Sequence, residues 1–296
     1  MPETDGTWTV RRLLEWTTPF LARKGLDSPR LAAEMLLAHV LAVPRIRLYT
    51  DYERVLPEKL LASYRDLVKR AAQSEPVAYL TGTAPFFNLE FQVTRDVLIP
   101  RPDTETLVEA VLQLSRNTAG LESPRVLDLC TGSGCVAAAI AYHHKNSTVT
   151  ATELSPAAAA VARRNIERLG LSERVGVEEG DLFEPLARVV DQRPYDILVA
   201  NPPYIPTGQI ASLDPSVRDF EPHAALDGGL DGLAIHRRIL RGAPDRVSPG
   251  GHVLLEIAFD QAAAALAMAA DFPTLTAPRI IKDHAGHDRV LSLRRA

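Results

Sequence analysis

Cysteine is scarce in this chain: two thiols in 296 residues, Cys130 and Cys135. Both fall in one strand-to-helix turn, too close together for a structural bridge, so a disulfide framework is excluded and a reducing, cytoplasmic setting is expected. Long apolar runs are missing too. Ala157 to Ala160 and Ala262 to Ala265 are helix-forming alanine and fall far short of a bilayer-crossing stretch. The opening Met1-Pro2-Glu3-Thr4-Asp5 lacks the basic-then-apolar pattern of a signal peptide, so no membrane partner is expected. Positive charge is not in excess either. Lys and Arg number 33 against 37 Asp and Glu, a net charge of −4, which leaves no broad footprint for duplex nucleic acid. Aromatic residues make up 6%, and no basic, aromatic-rich recognition domain is visible. Repeats and low-complexity segments are absent. What remains is ordinary for a globular chain, with length enough for one large or two modest domains.

Residues 1–80 read as helical. Thr9 can cap a helix whose Val10, Leu13, Leu14, Phe20 and Leu21 follow the 3.6-residue period. Ser28 before Pro29 marks a second start, with Leu31, Met35 and Leu36 on its apolar side and Pro44 as its stop. Pro57 opens another, carrying Leu60, Leu61, Tyr64, Leu67 and Val68. His39 falls within an apolar face, where a core or boundary histidine is expected rather than a ligand. No catalytic constellation occurs here. Glu75-Pro76 and Thr81-Gly82 break the helical pattern, and alternation over Phe86 to Val93 predicts a hairpin. Val97 to Glu105 follows as a stiff connector into a helix bearing Leu107, Val108, Val111 and Leu112.

Beyond Arg125 strands and helices alternate. Strands are expected at 126–130, 148–153, 174–179, 195–200, 251–257, 279–282 and 289–293, mostly parallel and covered on both faces. Ser155-Pro156 caps the helix from Ala157 to Leu169, and Gly170 ends it. The turn Asp283 to His287 is too short for a parallel crossover, so the last two strands should form an antiparallel hairpin.

Two loops carry the chemistry. Cys130, Thr131, Gly132, Ser133 and Gly134 run off the first of these strands into a helix N-terminus, where glycine lets backbone approach a ligand. Glu153 ends the second strand, placed to accept both hydroxyls of a ribose. Asp181, with Leu182, follows the third, in reach of an adenine amino group. The glycine pattern with Glu153 also fits a nicotinamide dinucleotide fingerprint. Asp128, within the strand before the loop, favours S-adenosylmethionine instead, because it suits a cationic amino-acid end better than a pyrophosphate. The second loop is Asn201-Pro202-Pro203-Tyr204, after the buried strand 195–200. Two prolines remove N–H donors, so this corner offers acceptors, and Tyr204 adds an aromatic face: a site for a planar –NH2 group. In a doubly wound sheet the first and fourth strands flank the switch point, which brings both loops to one crevice.

Asp128 to Gly134 with Asn201 to Tyr204 resembles the methyltransferases that act on planar nitrogen. Val97 to Glu105, Glu221-Pro222, Ala225 to Gly229, Asp231 to Leu233, Leu255 to Ile257 and the Lys282–Arg289 segment narrow this to a resemblance to the release-factor glutamine N5-methyltransferases (PrmC/HemK). The resemblance implies an α/β fold of the class I S-adenosylmethionine-dependent type. It has a Rossmann-like seven-stranded sheet (101–296), a helical substrate-docking domain (1–80) and a β-hairpin linker (81–100). It implies class I peptide chain release factors as partners, methylated at the glutamine of their Gly-Gly-Gln loop; a monomer and no direct nucleic-acid substrate are expected. Catalysis would fall to Asn201, Pro202 and Tyr204, with Pro203 also at the substrate. The cofactor would lie on Asp128, Cys130 to Gly134, Glu153, Asp181, Leu182 and Asn201. Three positions depart from the family: Cys130 stands for the usual glycine, Glu153 for Asp and Ala258 for Gly.

Asn201 Oδ1 and the Pro202 carbonyl are expected to accept the two N–H groups of the substrate amide, with no metal and no general base before transfer. The alternatives are methylation of ribosomal protein uL3, adenine-N6 methylation of nucleic acid, a noncatalytic binding module on the same fold, and an NAD-linked oxidoreductase. His143 and His144 at a helix end, His284 and His287 in a turn, and the basic face of Arg237, Arg238 and Arg241 read as solvated or terminal groups.

Overall fold

The computed structural model describes residues 7–296, which form two compact units. One comprises the described residues up to Thr83 together with 214–220; the other holds 84–213 and 221–296.

The first unit is helical: α1 (Val10–Ala22), α2 (Pro29–Leu41), α3 (Arg47–Thr50), α4 (Glu58–Ala71), α5 (Val77–Thr81) and the later α9 (Pro215–Arg218). Thr9 caps α1 by accepting from the Arg12 N–H at 3.3 Å, whereas the Ser28 side chain makes no such bond and Pro29 alone sets the start of α2. The buried face of α2 is Ala33, Leu36, Leu37 and Leu41. Leu31 and His39 are exposed, so the apolar stripe is rotated from the expected one and His39 is not a core residue. Alanine explains the error, since it counts weakly in a periodicity yet packs tightly against a neighbouring helix. Tyr64 of α4 is fully buried and donates to the Ala33 carbonyl at 3.3 Å.

The hairpin is β1 (Thr83–Phe86) and β2 (Leu89–Gln92). Phe87 and Asn88 between them both have positive φ (48° and 59°), the geometry that matches the twist of a two-residue hairpin turn. Asn165 ties this hairpin to the rest of the second unit. Its amide exchanges hydrogen bonds with the Gln92 backbone at 2.7 and 2.9 Å and donates to the Ser133 carbonyl at 2.9 Å.

The sheet consists of β3 (Arg125–Leu129), β4 (Thr148–Glu153), β5 (Val175–Glu179), β6 (Tyr195–Ala200), β7 (Val247–Glu256), β8 (Leu275–Lys282) and β9 (Asp288–Arg295), in the order β5-β4-β3-β6-β7-β9-β8. The first five are parallel; β9 runs antiparallel to both β7 and β8. Both faces are covered, and the side chains alternate between two cores. Val126, Val149, Ile197, Val199 and Leu254 pack with α6 (Glu105–Asn117) and α7 (Cys135–His143). Leu127, Leu129, Leu198, Val253 and Leu255 pack with α10 (Ala234–Gly242) and α11 (Ala262–Ala269). Burial on both sides is what turns β6 into an unbroken apolar run. The remaining helix, α8 (Pro156–Arg168), starts at Ser155, whose hydroxyl accepts from the Ala158 N–H.

β7 and β8 begin earlier than the sequence suggests. Residues between Val247 and His252 bulge against Tyr195 and Ile197, and Ala277, at φ 52°, interrupts β8 between Thr276 and Arg279. Each irregularity breaks the alternation by which a strand is recognised. No helix among the described residues is long and apolar enough to cross a membrane.

Candidate functional site

β3 and β6 are neighbours in parallel register, with Leu129 opposite Ala200. The chain therefore leaves both strands at one level, into Cys130 on one side and Asn201 on the other. A cavity of about 290 Å³ opens there, close to the lower end for small-molecule sites. It is lined by Asp128, Cys130 to Ser133, Glu153, Asp181, Leu182, Asn201 and Pro203. Gly134, Pro202 and Tyr204 lie outside that lining.

The loop after β3 is held by carboxylates. Asp128 is buried and accepts from the Thr131 hydroxyl at 2.6 Å. Burial pushes its pKa up to about 7, against the pull of Thr131 and the Ala137 N–H. Glu153 accepts the Gly132 N–H on one oxygen and the Ser155 N–H on the other, each at 2.9 Å. Its carboxyl is likewise raised by burial. Each oxygen keeps a further lone pair, so this carboxylate is fixed in place yet still able to accept. Gly134 turns at φ 79°, and a Cβ there would stand 3.2 Å from that of Ala162 on α8. Cys130 also sits in left-handed backbone, at φ 59°. A glycine at that position would relieve this backbone strain; burial pushes the Cys130 thiol pKa up, which keeps it neutral.

At the end of β5, Asp181 pairs with Arg238 of α10 at 2.6 Å, and both line the cavity. Arg238 is therefore not part of a merely solvated basic face. Arg237 pairs with Asp231 at 2.5 Å, and Arg241 is exposed. Arg237 and Arg238 are adjacent on the helix and so point in different directions, and no local pattern marks which of the two turns inward.

The loop after β6 is held through its backbone. Gly228 and Gly232 pack directly onto it: a Cβ on Gly228 would lie 2.8 Å from the Pro203 carbonyl oxygen, and one on Gly232 2.2 Å from that of Tyr204. Gln261 donates to the same Tyr204 carbonyl at 2.9 Å and accepts the Ala258 N–H at 3.0 Å. Tyr204 directs its hydroxyl to Glu256 at 3.4 Å, and Pro202 is buried. The Asn201 side-chain nitrogen donates to Thr104 Oγ1 at 3.1 Å, which leaves Oδ1 as the end of the amide free to accept. Glu256 is fully buried, and burial raises its carboxyl to about 7.

The connector before α6 supplies a wall that the sequence does not assign to the site: Asp96, Val97, Leu98, Pro100, Arg101 and Thr104. It is anchored by Arg101, ion-paired with buried Glu221, and by the Ile99 N–H, which donates to that carboxylate at 3.1 Å. Arg289 of β9 reaches Asp103 at 3.0 Å and Asp283 at 3.3 Å. His284 pairs with Glu109 and His287 with Asp283, and His143 contacts the Phe87 carbonyl at 3.1 Å rather than a carbonyl of its own helix end. Among the described residues no group of three His, Cys, Asp or Glu is placed to hold a metal ion.

Comparison with known proteins gives this geometry its context. Residues 12–82 match the PrmC N-terminal domain, and residues 103–213 match the methyltransferase small domain. Among solved structures, the hMettl16 catalytic domain in complex with MAT2A 3'UTR hairpin 6 superposes with a TM-score of 0.55. That match has 18% identity and covers 71% of this chain and 76% of that one, a likeness of fold: a class I methyltransferase sheet. A release factor glutamine methyltransferase from Geobacter sulfurreducens is 45% identical over 268 residues, 90% of each chain. One from Rhodopirellula baltica is 41% identical over 293 residues, 99% of this chain and 98% of its own. With such identity over almost its whole length, the chain belongs to the release factor glutamine methyltransferase family.

Proposed function

We propose that this protein transfers a methyl group from S-adenosylmethionine to the side-chain amide N5 of the glutamine in the Gly-Gly-Gln loop of class I peptide chain release factors. It does so as a monomer in the cytoplasm, with the helical unit docking the factor. Family membership supports the reaction class, and the observation that carries the residue assignment is the orientation of Asn201, whose Oδ1 is left as an acceptor beside the cavity.

The residues present fit the cofactor. Asp128 suits its ammonium group, Glu153 its ribose hydroxyls and Asp181 its adenine amino group, while Leu182 and Cys130 to Ser133 supply apolar and backbone surface. When bound, S-adenosylmethionine supplies an electrophilic methyl on a sulfonium. The protein's own task is to make an amide nitrogen react, although its lone pair is delocalised into the carbonyl. Asn201 Oδ1 and the Pro202 carbonyl accept the two N–H groups and aim the nitrogen. Positive charge grows on that nitrogen as its new bond forms, so both hydrogen bonds strengthen toward the transition state; afterwards one N–H proton leaves to solvent. This is the logic of an oxyanion hole with the sign reversed, and one such partner is typically worth about 3 kcal/mol of barrier. Tyr204 borders the amide plane and limits water, and alignment in the closed pocket supplies much of the rest.

The test is transfer of labelled methyl from S-adenosylmethionine to purified class I release factor, with ribosomal protein uL3 and adenine-containing DNA as parallel acceptors. Label on the Gly-Gly-Gln glutamine alone is expected. Label on uL3 or DNA instead would keep the pocket chemistry and overturn the substrate.

A further inference from the structure

We propose that Thr104 is a positioning residue for Asn201: its hydroxyl decides which end of the Asn201 amide faces the cavity. The inference rests on the reading that Asn201 Oδ1 accepts a substrate N–H, and it adds the cause of that orientation.

A primary amide has two ends of nearly equal size and opposite hydrogen-bonding character, and its partners decide which way it points. Turned one way, Asn201 offers the cavity an oxygen that attracts an –NH2 group. Turned the other way, it offers an –NH2 of its own, and two donors face each other. The backbone cannot choose between these, since Pro202 and Pro203 carry no N–H to engage the oxygen.

Thr104 can choose. It ends the short turn Pro102–Thr104 before α6, it is buried, and it lines the cavity beside Asn201. Its Oγ1 accepts from Asn201 Nδ2 at 3.1 Å. A hydroxyl can accept only while its single proton is directed elsewhere, and the buried acceptor left open to take it is the Glu256 carboxyl. Glu256 is fully buried, takes the Tyr204 hydroxyl at 3.4 Å on one oxygen, and has a second oxygen, Oε2, with no hydrogen-bond partner among the described residues. A buried carboxyl short of donors draws hydroxyl protons toward itself. With the Thr104 proton turned to Glu256, its lone pairs face Asn201, and only the –NH2 end of that amide matches them. Oδ1 is then directed to the substrate. The polarity of the acceptor pocket is thus set two residues away, by an acid that itself need not touch the substrate.

The experiment compares Thr104→Val, which keeps the shape and removes the hydroxyl, with Thr104→Ser, which restores it, in the full chain. Two readouts are taken: methylation of release factor, and the side-chain –NH2 resonances of Asn201 in 15N-labelled protein, identified by their loss in Asn201→Ala. T104V should lower kcat roughly 30-fold or more while the Kd for S-adenosylmethionine stays within about twofold. It should also remove the exchange protection of the Asn201 –NH2 protons. T104S should recover kcat to within about threefold and restore the protection. Equal protection in the unmutated protein and T104V overturns the proposal, as does equal loss of kcat in T104V and T104S, which would mark Thr104 as packing only. If the unmutated protein methylates no release factor, the substrate assignment fails, and the resonances still decide the role of Thr104.

Discussion

The two ends of the cavity are built in opposite ways. The end built from β3, β4 and β5 uses charged side chains, Asp128, Glu153 and Asp181, each held by donors from the protein: a hydroxyl, two backbone N–H groups and a guanidinium. The end after β6 uses a neutral amide and backbone carbonyls, held by the close approach of Gly228 and Gly232 and by Gln261. A cationic, hydroxyl-rich cofactor suits the first and a neutral amide the second. Charge gives affinity and pH dependence, whereas a fixed array of acceptors gives direction. Mutations at the two ends should therefore fail differently.

The sharpest break is Asn201→Ala. Turnover should fall at least about 100-fold, with the Kd for S-adenosylmethionine, measured by calorimetry, nearly unchanged; methylation close to normal would remove Asn201 from the chemistry. Gly232→Ala comes next. A methyl group 2.2 Å from the Tyr204 carbonyl oxygen must displace that loop, at a cost of about 2 kcal/mol in thermal or denaturant unfolding, and kcat should drop without loss of cofactor affinity. Retained activity and stability would mean that the backbone at this end tolerates more movement than its packing indicates.

The cofactor end should respond to pH instead. Asp128 titrates near 7 in the free protein because burial disfavours its charge, and a cationic ligand binds the carboxylate. Below that value binding has to expel a proton, and above it none is held. Affinity for S-adenosylmethionine should accordingly rise roughly 25-fold from about pH 5.5 to about pH 7.5. Asp128→Asn should remove most of the rise, leaving a residue from the raised carboxyl of Glu153. A wild-type affinity flat across that interval would show that Asp128 is not where the cation sits. The smallest effect is expected of Cys130→Gly, which relieves a left-handed backbone; a gain of up to about 1 kcal/mol in stability, read as a higher Tm, with turnover little changed, is the outcome that fits.

The same contrast governs what the sequence discloses. Asp128, the glycine loop, Glu153 and the Asn201 loop follow strand ends, so their places are legible once the alternation of strands and helices is read; the adjacency of β3 and β6 follows from the doubly wound order. What holds these residues is not legible. Thr104, Gln261 and the Arg101–Glu221 pair come from far along the chain, and no local period encodes which side chain will meet which loop. Arg238 is lost among its neighbours for that reason, and His39 is misplaced because the buried face of α2 includes alanines beside its leucines, and these weigh little in a hydrophobic period.

The placement of β9 between β7 and β8 has a consequence for how the chain is made. Synthesis delivers β8 before its only neighbour in the sheet exists, so a nascent chain that has emerged that far has two open strand edges and nothing to join them. The same late strand brings Arg289 to Asp103, beside Thr104. The acceptor end is therefore completed only after β9 has left the ribosome and slotted into the gap.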